Sequence, residues 1–530
     1  MADKKLTDRE IRELLEQMEC NEFSDECDTD LFLGNISDDD ACNLENYDIE
    51  SEDIDDIETH NSTAIDNVLL DPPKAIVTKK RNVNSIDSAL DPLNYIPIVL
   101  PEEETFSVTI NKKTKGTPER MITWTSTPPA QHRIASENIP IRPIVKSSAA
   151  TATTPLTAWS CFFTDDIISI IVTSTNKRIK DKVELVSGNS SFYYVKFTEH
   201  TEIKAFIGLL YMRGVLQLNH LRHRLLFSDT VGPPIFTATM STNRFTFLYT
   251  NISFDDVDTR KDRWMYDKFT AMRRVFEIFN TNCASAVNPS DYLSLDETLY
   301  PCRTKIPFKQ YDPNTPAKYG ILFKSLNSAR FSYTYQTTVY NGKPSTVPSP
   351  YYVQGVSSTV KQLIHELEKQ STLKGVNITM DRQHTDFELF EWLLQKKITA
   401  VGIIRANRRA IPHQISSVSD RNEYSYKVMW NNTSKKISLH SYVVSTKSKG
   451  KKNVLALASV PPVLGITSDD DKNKPALLKL YEFSKGGTDI VNHRMSTYTV
   501  NRQSGRWTIP VFSYLLDTAR VNCQSLWSLT

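Results

Sequence analysis

The sequence predicts an α/β protein that follows a long acidic segment. Apolar residues recur with a helical period from about residue 157 to residue 288. The period then changes to the alternation typical of strands, and residues 293–404 indicate three strands followed by alternating helices and strands. These changes divide the chain into a helical part and a part that contains a sheet.

Charge also divides the chain. Residues 1–60 contain 22 Asp or Glu and 4 Lys or Arg, a net charge of −18, whereas the whole chain has a net charge of +1. The remaining residues are therefore basic, which suits a polyanionic partner, while a dense acidic segment with few aromatics favours disorder. We expect residues 1–155 to be a disordered acidic region that ends in a Ser-, Thr-, Ala- and Pro-rich linker at 147–155.

Cysteine spacing and hydropathy indicate the compartment. The seven cysteines are widely spaced without a CxxC pair, which argues against a disulfide framework and a structural zinc ribbon. The longest apolar run, residues 205–212, is far shorter than the roughly 20 residues that a membrane helix needs. No secretory signal is evident. We expect an intracellular protein without a membrane partner, and the basic run at 79–81 is compatible with the nucleus.

The helical part begins at an N-cap candidate, Thr164, and its amphipathic stretches cover 202–216, 241–249 and 266–280. A last amphipathic stretch covers 507–526. The patterns predict the following order of parts: 1–155, disordered region; 156–288, helical domain (first part); 289–406, sheet core (first part); 407–470, inserted β domain; 471–496, sheet core (second part); 497–530, helical domain (second part).

The sheet part has the predicted element order β-β-β-α-β-α-β. This is the order of an RNase H-like nuclease sheet, although the same order recurs across many α/β folds. In that fold the first acidic residue belongs on the first strand and the second on the fourth. Three further strands are predicted in a Lys- and Arg-rich insertion, and they cover 424–430, 435–445 and 453–459.

Three aspartates occupy positions that suit metal ligands. Asp296 lies in an alternating strand, Asp381 lies at a strand end, and Asp489 is predicted to open a helix after the flexible Gly486-Gly487 pair. Taken singly, each has a simpler explanation as an exposed strand residue or a first-turn carboxylate. Because a few carboxylates plus substrate phosphates hold hard divalent cations, the set predicts phosphoryl transfer on nucleic acid.

Several motifs in this order resemble the piggyBac family of cut-and-paste DNA transposases, including the transposable-element-derived proteins descended from them. The resemblance spans about 157–530. It is carried by the segments 162–165, 294–299, 308–320, 485–489 and 506–507.

The resemblance implies an RNase H-like core with an inserted β domain and a helical dimerisation and DNA-binding domain. It also implies a homodimer that acts on double-stranded transposon ends, forms a hairpin intermediate and joins a TTAA target. On this reading Asp296, Asp381 and Asp489 are the catalytic carboxylates. Together with Asn492 they would bind two Mg²⁺ ions, for which Mn²⁺ can substitute.

Basic and aromatic residues outside this set are candidates for DNA contact. A basic run is otherwise a solvated loop, and a tryptophan can equally pack in the core. The candidates are Arg405, Arg408, Arg409, Lys449, Lys451, Lys452, Arg506 and Trp507.

The chain departs from the family pattern at three places. Asn492 stands where a fourth acidic residue is usual, and His384 follows Asp381 in a segment where an aromatic residue and Thr-Ser are usual. We interpret His384 as a packing residue rather than a new catalytic base. The cysteine-rich zinc domain of many members has no counterpart in the sequence.

Two function classes therefore stay open, an active transposase and a domesticated DNA-binding protein without mobilising activity. A sugar hydrolase with paired carboxylates is a weaker alternative, because the sequence lacks aromatic-lined subsites.

Overall fold

The computed structural model describes residues 86–87, 95–97, 103–111, 120–129, 142–186, 193–313, 315–343, 348–433, 435–446, 450–460, 465–467 and 473–530. Among these residues, no helix combines the length and the apolar character needed to cross a membrane.

The described strands are β1 (Tyr95–Pro97), β2 (Thr105–Asn111), β3 (Arg120–Thr125), β4 (Ile144–Val145), β5 (Val287–Asn288), β6 (Tyr292–Pro301), β7 (Gln310–Tyr311), β8 (Tyr319–Ser328), β9 (Thr334–Val339), β10 (Asn377–Met380), β11 (Thr399–Ile403), β12 (Tyr426–Asn431), β13 (Ser438–Thr446), β14 (Gly450–Ala458) and β15 (Gly465–Thr467).

The described helices are α1 (Pro155–Ser160), α2 (Asp165–Val186), α3 (His200–Val215), α4 (His223–Leu226), α5 (Pro234–Thr239), α6 (Thr242–Asn251), α7 (Val257–Trp264), α8 (Thr270–Ala286), α9 (Val356–Glu368), α10 (Phe387–Gln395), α11 (His413–Ser416), α12 (Ala476–Thr497) and α13 (Thr508–Leu529).

The centre of the fold is a mixed sheet with the predicted element order. Strand β6 pairs antiparallel with β8, and β8 pairs antiparallel with β9. On the other side β6 pairs parallel with β10, which pairs parallel with β11. Helices α9 and α10 provide the crossovers that parallel pairing requires. The strand order across this part is therefore third, second, first, fourth and fifth.

The predicted β insertion extends this same sheet. Strand β14 pairs antiparallel with β11, and β13 and β12 follow in order. Within the described residues, eleven strands form one sheet in the order β2-β3-β12-β13-β14-β11-β10-β6-β8-β7, with β9 also on β8. The inserted strands are thus continuous with the strands that carry two of the three aspartates.

Part of the region predicted to be disordered is folded. Strands β2 and β3 pair with each other, and β3 pairs with β12 at the edge of the large sheet. Trp124 on β3 is fully buried, its indole N–H donates to the Ala410 carbonyl at 2.8 Å, and its ring packs edge-on against Phe387 at 5.6 Å. The prediction for 1–155 is therefore wrong for these strands, while residues 1–85 lie outside the described residues.

The predicted linker at 147–155 is also packed. Ala149 and Ala152 are buried, and the Thr154 side chain forms a capping box with Thr157 at the start of α1. Before it, the Lys146 ammonium donates to the Ala284 and Gln370 carbonyls. Small side chains here permit close packing, which composition alone cannot distinguish from a flexible segment.

Helix α13 connects the helices to the sheet. The Tyr514 ring stacks on Phe323 of β8 with centroids 3.8 Å apart, and Phe512 packs against Phe254 at 4.7 Å. The Tyr211 hydroxyl on α3 donates to the Leu516 carbonyl at 2.8 Å. Buried residues of the helices and of the sheet therefore belong to one continuous core.

The prediction that a helix opens at Asp489 is wrong, because helix α12 begins earlier. The helix is continuous from Ala476 to Thr497, and the Gly486-Gly487 pair lies inside it. A Cβ atom on Gly487 would lie 2.7 Å from the Ala329 Cα and 2.9 Å from the Ser328 carbonyl oxygen. The glycine is needed because the helix backbone approaches the sheet closely, and not because the chain is flexible there.

This close approach can be tested with a matched pair of glycines. Gly487→Ala is expected to lower the free energy of unfolding by about 1–3 kcal/mol, because backbone atoms must move to admit the methyl group. A Cβ on Gly486 has no neighbour within 4 Å, so Gly486→Ala is expected to be neutral or to stabilise the helix by up to about 1 kcal/mol. Urea unfolding measures both, and equal effects would contradict the packing.

Candidate active site

Two of the three predicted carboxylates lie side by side on neighbouring strands. Leu295 on β6 is in register with Met380 on the parallel strand β10. Asp296 and Asp381 are the next residues on the two chains, so their backbones are about 5 Å apart, the usual spacing of paired strands. Asp381 follows the last residue of β10, at the carboxyl edge of the parallel strands.

Buried hydroxyl and amide groups hold α12 against these strands. The Ser294 hydroxyl donates to the Lys485 carbonyl at 2.7 Å, and the Thr488 hydroxyl donates to Ser294 at 3.0 Å. The Asn327 amide on β8 donates to Thr488 at 2.9 Å. Because Asp489 follows Thr488, these bonds fix the third carboxylate beside β6, where its side chain is exposed.

The pKa of Asp296 depends on its burial and on the charged groups around it, including the other two carboxylates. Burial raises its pKa, the nearby Lys485 lowers it, and the negative charges of Asp381 and Asp489 raise it further, to about 6. The Lys485 ammonium lies 3.9 Å from the Asp296 carboxylate. The three acidic groups thus form one electrostatically coupled set.

Asp381 has the opposite shift because of His384. Burial raises the pKa of Asp381, but hydrogen bonds from His384 and from the Gln383 backbone outweigh it and lower the pKa to about 2. His384 Nδ1 lies 2.5 Å from Asp381 Oδ1, and the backbone N–H groups of His384 and Gln383 donate to the same oxygen at 2.9 and 3.1 Å. One carboxylate oxygen is therefore held by three donors.

The histidine belongs to a larger buried network. His384 is fully buried, and its Nε2 lies 3.5 Å from Glu297 and 3.4 Å from the Lys324 ammonium. Lys324 pairs with Glu297 at 2.9 Å. His384 is therefore a polar contact to Asp381 as well as a packed residue, and sequence reasoning missed Glu297 and Lys324 because their partners are far away in the chain.

Asn492 has a partner on the first strand. Its side-chain oxygen accepts a hydrogen bond from the Thr298 hydroxyl at 2.7 Å. Because this oxygen is the atom that would ligate a metal ion, any ligation by Asn492 has to share it with Thr298.

Most of the predicted basic residues gather at the edge of the sheet that carries Asp381. Met380 is in register with Gly402, so the loop with Arg405, Arg408 and Arg409 follows β11 at that edge. Arg405 and Arg409 are exposed, and Arg409 also donates to the Ile110 carbonyl at 3.5 Å.

The β13–β14 hairpin extends past the same edge. Ile403 is in register with Ala456, and Lys452 lies four residues beyond Ala456, about 13 Å along the strand. Lys451 is exposed, although its ammonium donates to the Arg421 carbonyl at 2.9 Å. Lys449 lies outside the described residues.

Arg506 and Trp507 have internal partners. Arg506 donates to the Tyr249, Thr250 and Ile252 carbonyls at the end of α6, which the helix leaves without intrahelical donors. The Trp507 ring packs 5.3 Å from Phe308 and 5.7 Å from Phe269. These contacts explain both residues without DNA, so the structure does not group them with the basic edge.

Comparison with known proteins decides the family. A family model described as Transposase IS4 matches residues 154–524, which include all three aspartates. The chain is a member of the piggyBac-type transposase family.

Several relatives are transposable-element-derived proteins. The chain is 22% identical over 396 residues to human piggyBac transposable element-derived protein 3. This match covers 71% of this chain and 61% of that protein. It is 20% identical over 381 residues to human piggyBac transposable element-derived protein 2, covering 70% of this chain and 61% of that protein. The chain thus spans about 61% of the length of these two relatives.

A solved structure is also similar. A cryo-EM structure of a piggyBac transposase synaptic complex with hairpin DNA matches with a TM-score of 0.66 and 28% identity. The match covers 73% of this chain and 77% of the other. The mixed α/β fold of the piggyBac-type family is therefore present in this chain.

Transposases of this type generally use divalent metal ions, and the donor set here has suitable chemistry. Burial, together with the negative charges of Asp381 and Asp489, raises the pKa of Asp296, and a bound cation would stabilise its charged form. However, no three His, Cys, Asp or Glu side chains among the described residues are arranged to hold one ion. In this structure Asp381 is turned to His384 and Asp296 lies near Lys485, so metal binding requires these side chains to reorient.

The raised pKa of Asp296 predicts a pH-dependent stability. The folded protein holds this proton more tightly than the unfolded chain, so the stabilising contribution is full below pH 3.8 and is lost as the pH rises through about 6. In EDTA, Asp296→Asn is expected to be more stable than wild type by about 2–3 kcal/mol at pH 7.5, and the gain should disappear near pH 4.

Urea unfolding at the two pH values measures this difference. Asp420→Asn, at an exposed position in the loop before β12, is the control and should show little change at either pH. A gain for Asp296→Asn of the same size at both pH values would show that ionisation of Asp296 is not its cause.

Proposed function

We propose that this chain is a metal-dependent DNA transposase of the cut-and-paste type, with Asp296, Asp381 and Asp489 as its catalytic carboxylates. The observation that carries the proposal is the convergence of the three groups: Asp296 and Asp381 are neighbours on the paired chains of β6 and β10, and the Thr488–Ser294 hydrogen bond holds α12, with Asp489, against β6. The basic residues at the same edge of the sheet support nucleic acid as the substrate.

The proposal includes an RNase H-like catalytic core. Its support is the strand order third, second, first, fourth and fifth, with the first three strands antiparallel and the last two parallel to the first. Asp296 lies on the first of these strands and Asp381 follows the fourth, which are the positions expected for two of the acids. Two Mg²⁺ ions, or Mn²⁺ in their place, would be bound by these residues with Asp489 and Asn492.

The bound ions would supply activation of a water or 3′-hydroxyl nucleophile and stabilisation of the leaving oxygen. The residues of the chain have separate tasks. His384 holds the Asp381 carboxylate in the metal-free protein by the contact at 2.5 Å and would release it to the ion, and α12 presents Asp489 beside β6 through the Ser294–Thr488 contact. Lys485 balances the negative charge near Asp296 before a metal ion binds.

Arg405, Arg408, Arg409 and Lys452, with Lys449 and Lys451, would contact DNA phosphates and place a strand across the carboxylates. The similar synaptic complex contains hairpin DNA, which supports double-stranded ends and a hairpin intermediate for this chain as well. A TTAA target, a homodimer and a nuclear location complete the proposal.

A domesticated DNA-binding protein is the second candidate. Asn492 brings no charge to the position where the family usually has a fourth acid, and two relatives are named as transposable-element-derived proteins. Cleavage separates the two candidates, because both are expected to bind DNA.

A substitution at the first strand tests the active enzyme. With Mg²⁺ or Mn²⁺, wild type is expected to nick duplex DNA beside TTAA, and Asp296→Asn should reduce nicking at least about 100-fold because a metal ligand loses its charge. DNA binding by the variant should persist, and Asp420→Asn should nick like wild type. Nicking by Asp296→Asn at the wild-type rate would refute the site, whereas a wild type that binds but never nicks favours the domesticated protein.

The basic edge predicts a salt dependence of DNA affinity. Arg405→Gln/Arg409→Gln is expected to make the slope of log K against log salt shallower by about 2, one unit for each lost phosphate contact. Lys374→Gln is the control, because Lys374 is exposed at the opposite end of β10. Anisotropy titrations with duplex DNA measure both slopes, and an unchanged slope in the double arginine variant would place the DNA elsewhere.

A further inference from the structure

The motif segment at 308–320 has no part in the carboxylate site, yet it presents an exposed aromatic pair. Tyr311 on β7 and Tyr319 on β8 are register partners whose ring centroids lie 4.7 Å apart. Their exposed fractions are 53% and 48%, so about half of each residue is open to solvent. We call these two residues the tyrosine platform.

We propose that the tyrosine platform binds unpaired nucleotides at a DNA end by stacking. The inference rests on the proposed DNA function and assigns a ligand to a surface that the carboxylates do not use. Exposed aromatic side chains combined with positive charge are the usual surface for unpaired DNA, since every base offers a π face.

Charge around the platform favours this ligand. Residues 303–319 contain four basic residues and one acidic residue. The Lys309 ammonium lies 5.5 Å from the Tyr319 ring centroid, close enough to contribute a cation–π contact and to reach a phosphate beside a stacked base. An apolar partner would gain little from this positive charge.

The platform is anchored rather than loose. Phe308 is buried, and its ring packs 5.3 Å from Trp507 and 6.2 Å from Phe269. At the other end, Gly320 lies so close to β6 that a Cβ would meet the Tyr300 carbonyl oxygen at 2.3 Å. Anchoring on both sides lowers the entropy lost when a base stacks on the rings.

The platform and the first carboxylate share a face of the sheet. Asp296 is in register with Ser325, and Tyr319 lies six residues before Ser325 on the same strand. Because side chains alternate along a strand, an even separation places Tyr319 on the same face as Asp296, about 20 Å away. This distance corresponds to about six nucleotides of one DNA strand, which would have to pass around α13, because Tyr514 covers Phe323 between the two positions.

The simpler explanation is a cross-strand pair that only stabilises the β7–β8 hairpin. The two explanations differ in their effect on DNA. Stacking requires that the platform distinguish a DNA end with unpaired nucleotides from a blunt end, whereas a purely structural pair changes stability alone.

The test measures binding of two fluorescein-labelled duplexes by the full chain in EDTA, one blunt and one with a single-stranded extension of six nucleotides. Wild type is expected to bind the extended duplex at least about fivefold more tightly than the blunt one. Tyr311→Ala and Tyr319→Ala should remove this preference, while blunt-duplex affinity stays within about twofold. The corresponding Phe variants keep a ring and should keep the preference.

Tyr193→Ala is the matched control, because Tyr193 is also exposed and also paired with a tyrosine, Tyr194, at 5.6 Å. It should leave the preference intact. A wild type that binds both duplexes equally, or Ala variants that keep the preference, would refute the platform while leaving the DNA function standing. A wild type that binds neither duplex would refute the proposed DNA function as well.

Discussion

The close packing of α12 on strands β6 and β8 is the contact on which the candidate site depends. At Gly487 the helix backbone lies so close to the sheet that any side chain would prevent the contact. The hydrogen bonds of Ser294, Thr488 and Asn327 fix the rotation of the helix about its axis. Asp489 lies two residues further along the same helix. Without this contact the third carboxylate would have no defined position relative to Asp296, however well the sheet itself formed.

Placing three carboxylates close together is electrostatically unfavourable. Neighbouring residues stabilise the charged form of Asp381 more than that of Asp296. Burial and two acidic neighbours raise the pKa of Asp296 to about 6, although the Lys485 ammonium lies 3.9 Å away. Asp381 is also buried, but its hydrogen bonds with His384 lower its pKa to about 2. A positive ion near Asp296 would therefore stabilise the group of carboxylates. Together with the arginine loop after β11, this property suits divalent ions and a polyanionic substrate.

Much of the fold could be predicted from the sequence, because strands and helices with strong periodicity report their own positions. The order β6, β8, β9, α9, β10, α10 and β11 and the settings of Asp296 and Asp381 needed only local patterns. What could not be predicted depended on distant partners. The Gly486-Gly487 pair was interpreted as a flexible start of a helix, since a sequence does not show how closely a backbone approaches a sheet.

The same limitation explains the other differences. Strand β3 pairs with β12, about 300 residues away, and the contact of His384 with Glu297 joins segments that no local pattern links. The most direct test of the central assignment is anomalous diffraction from crystals of the full chain soaked in MnCl₂. Mn²⁺ is expected between the carboxylates of Asp296, Asp381 and Asp489, with Asp381 turned away from His384. Saturating Mn²⁺ that binds elsewhere, and leaves these three carboxylates without an ion, would contradict the assignment.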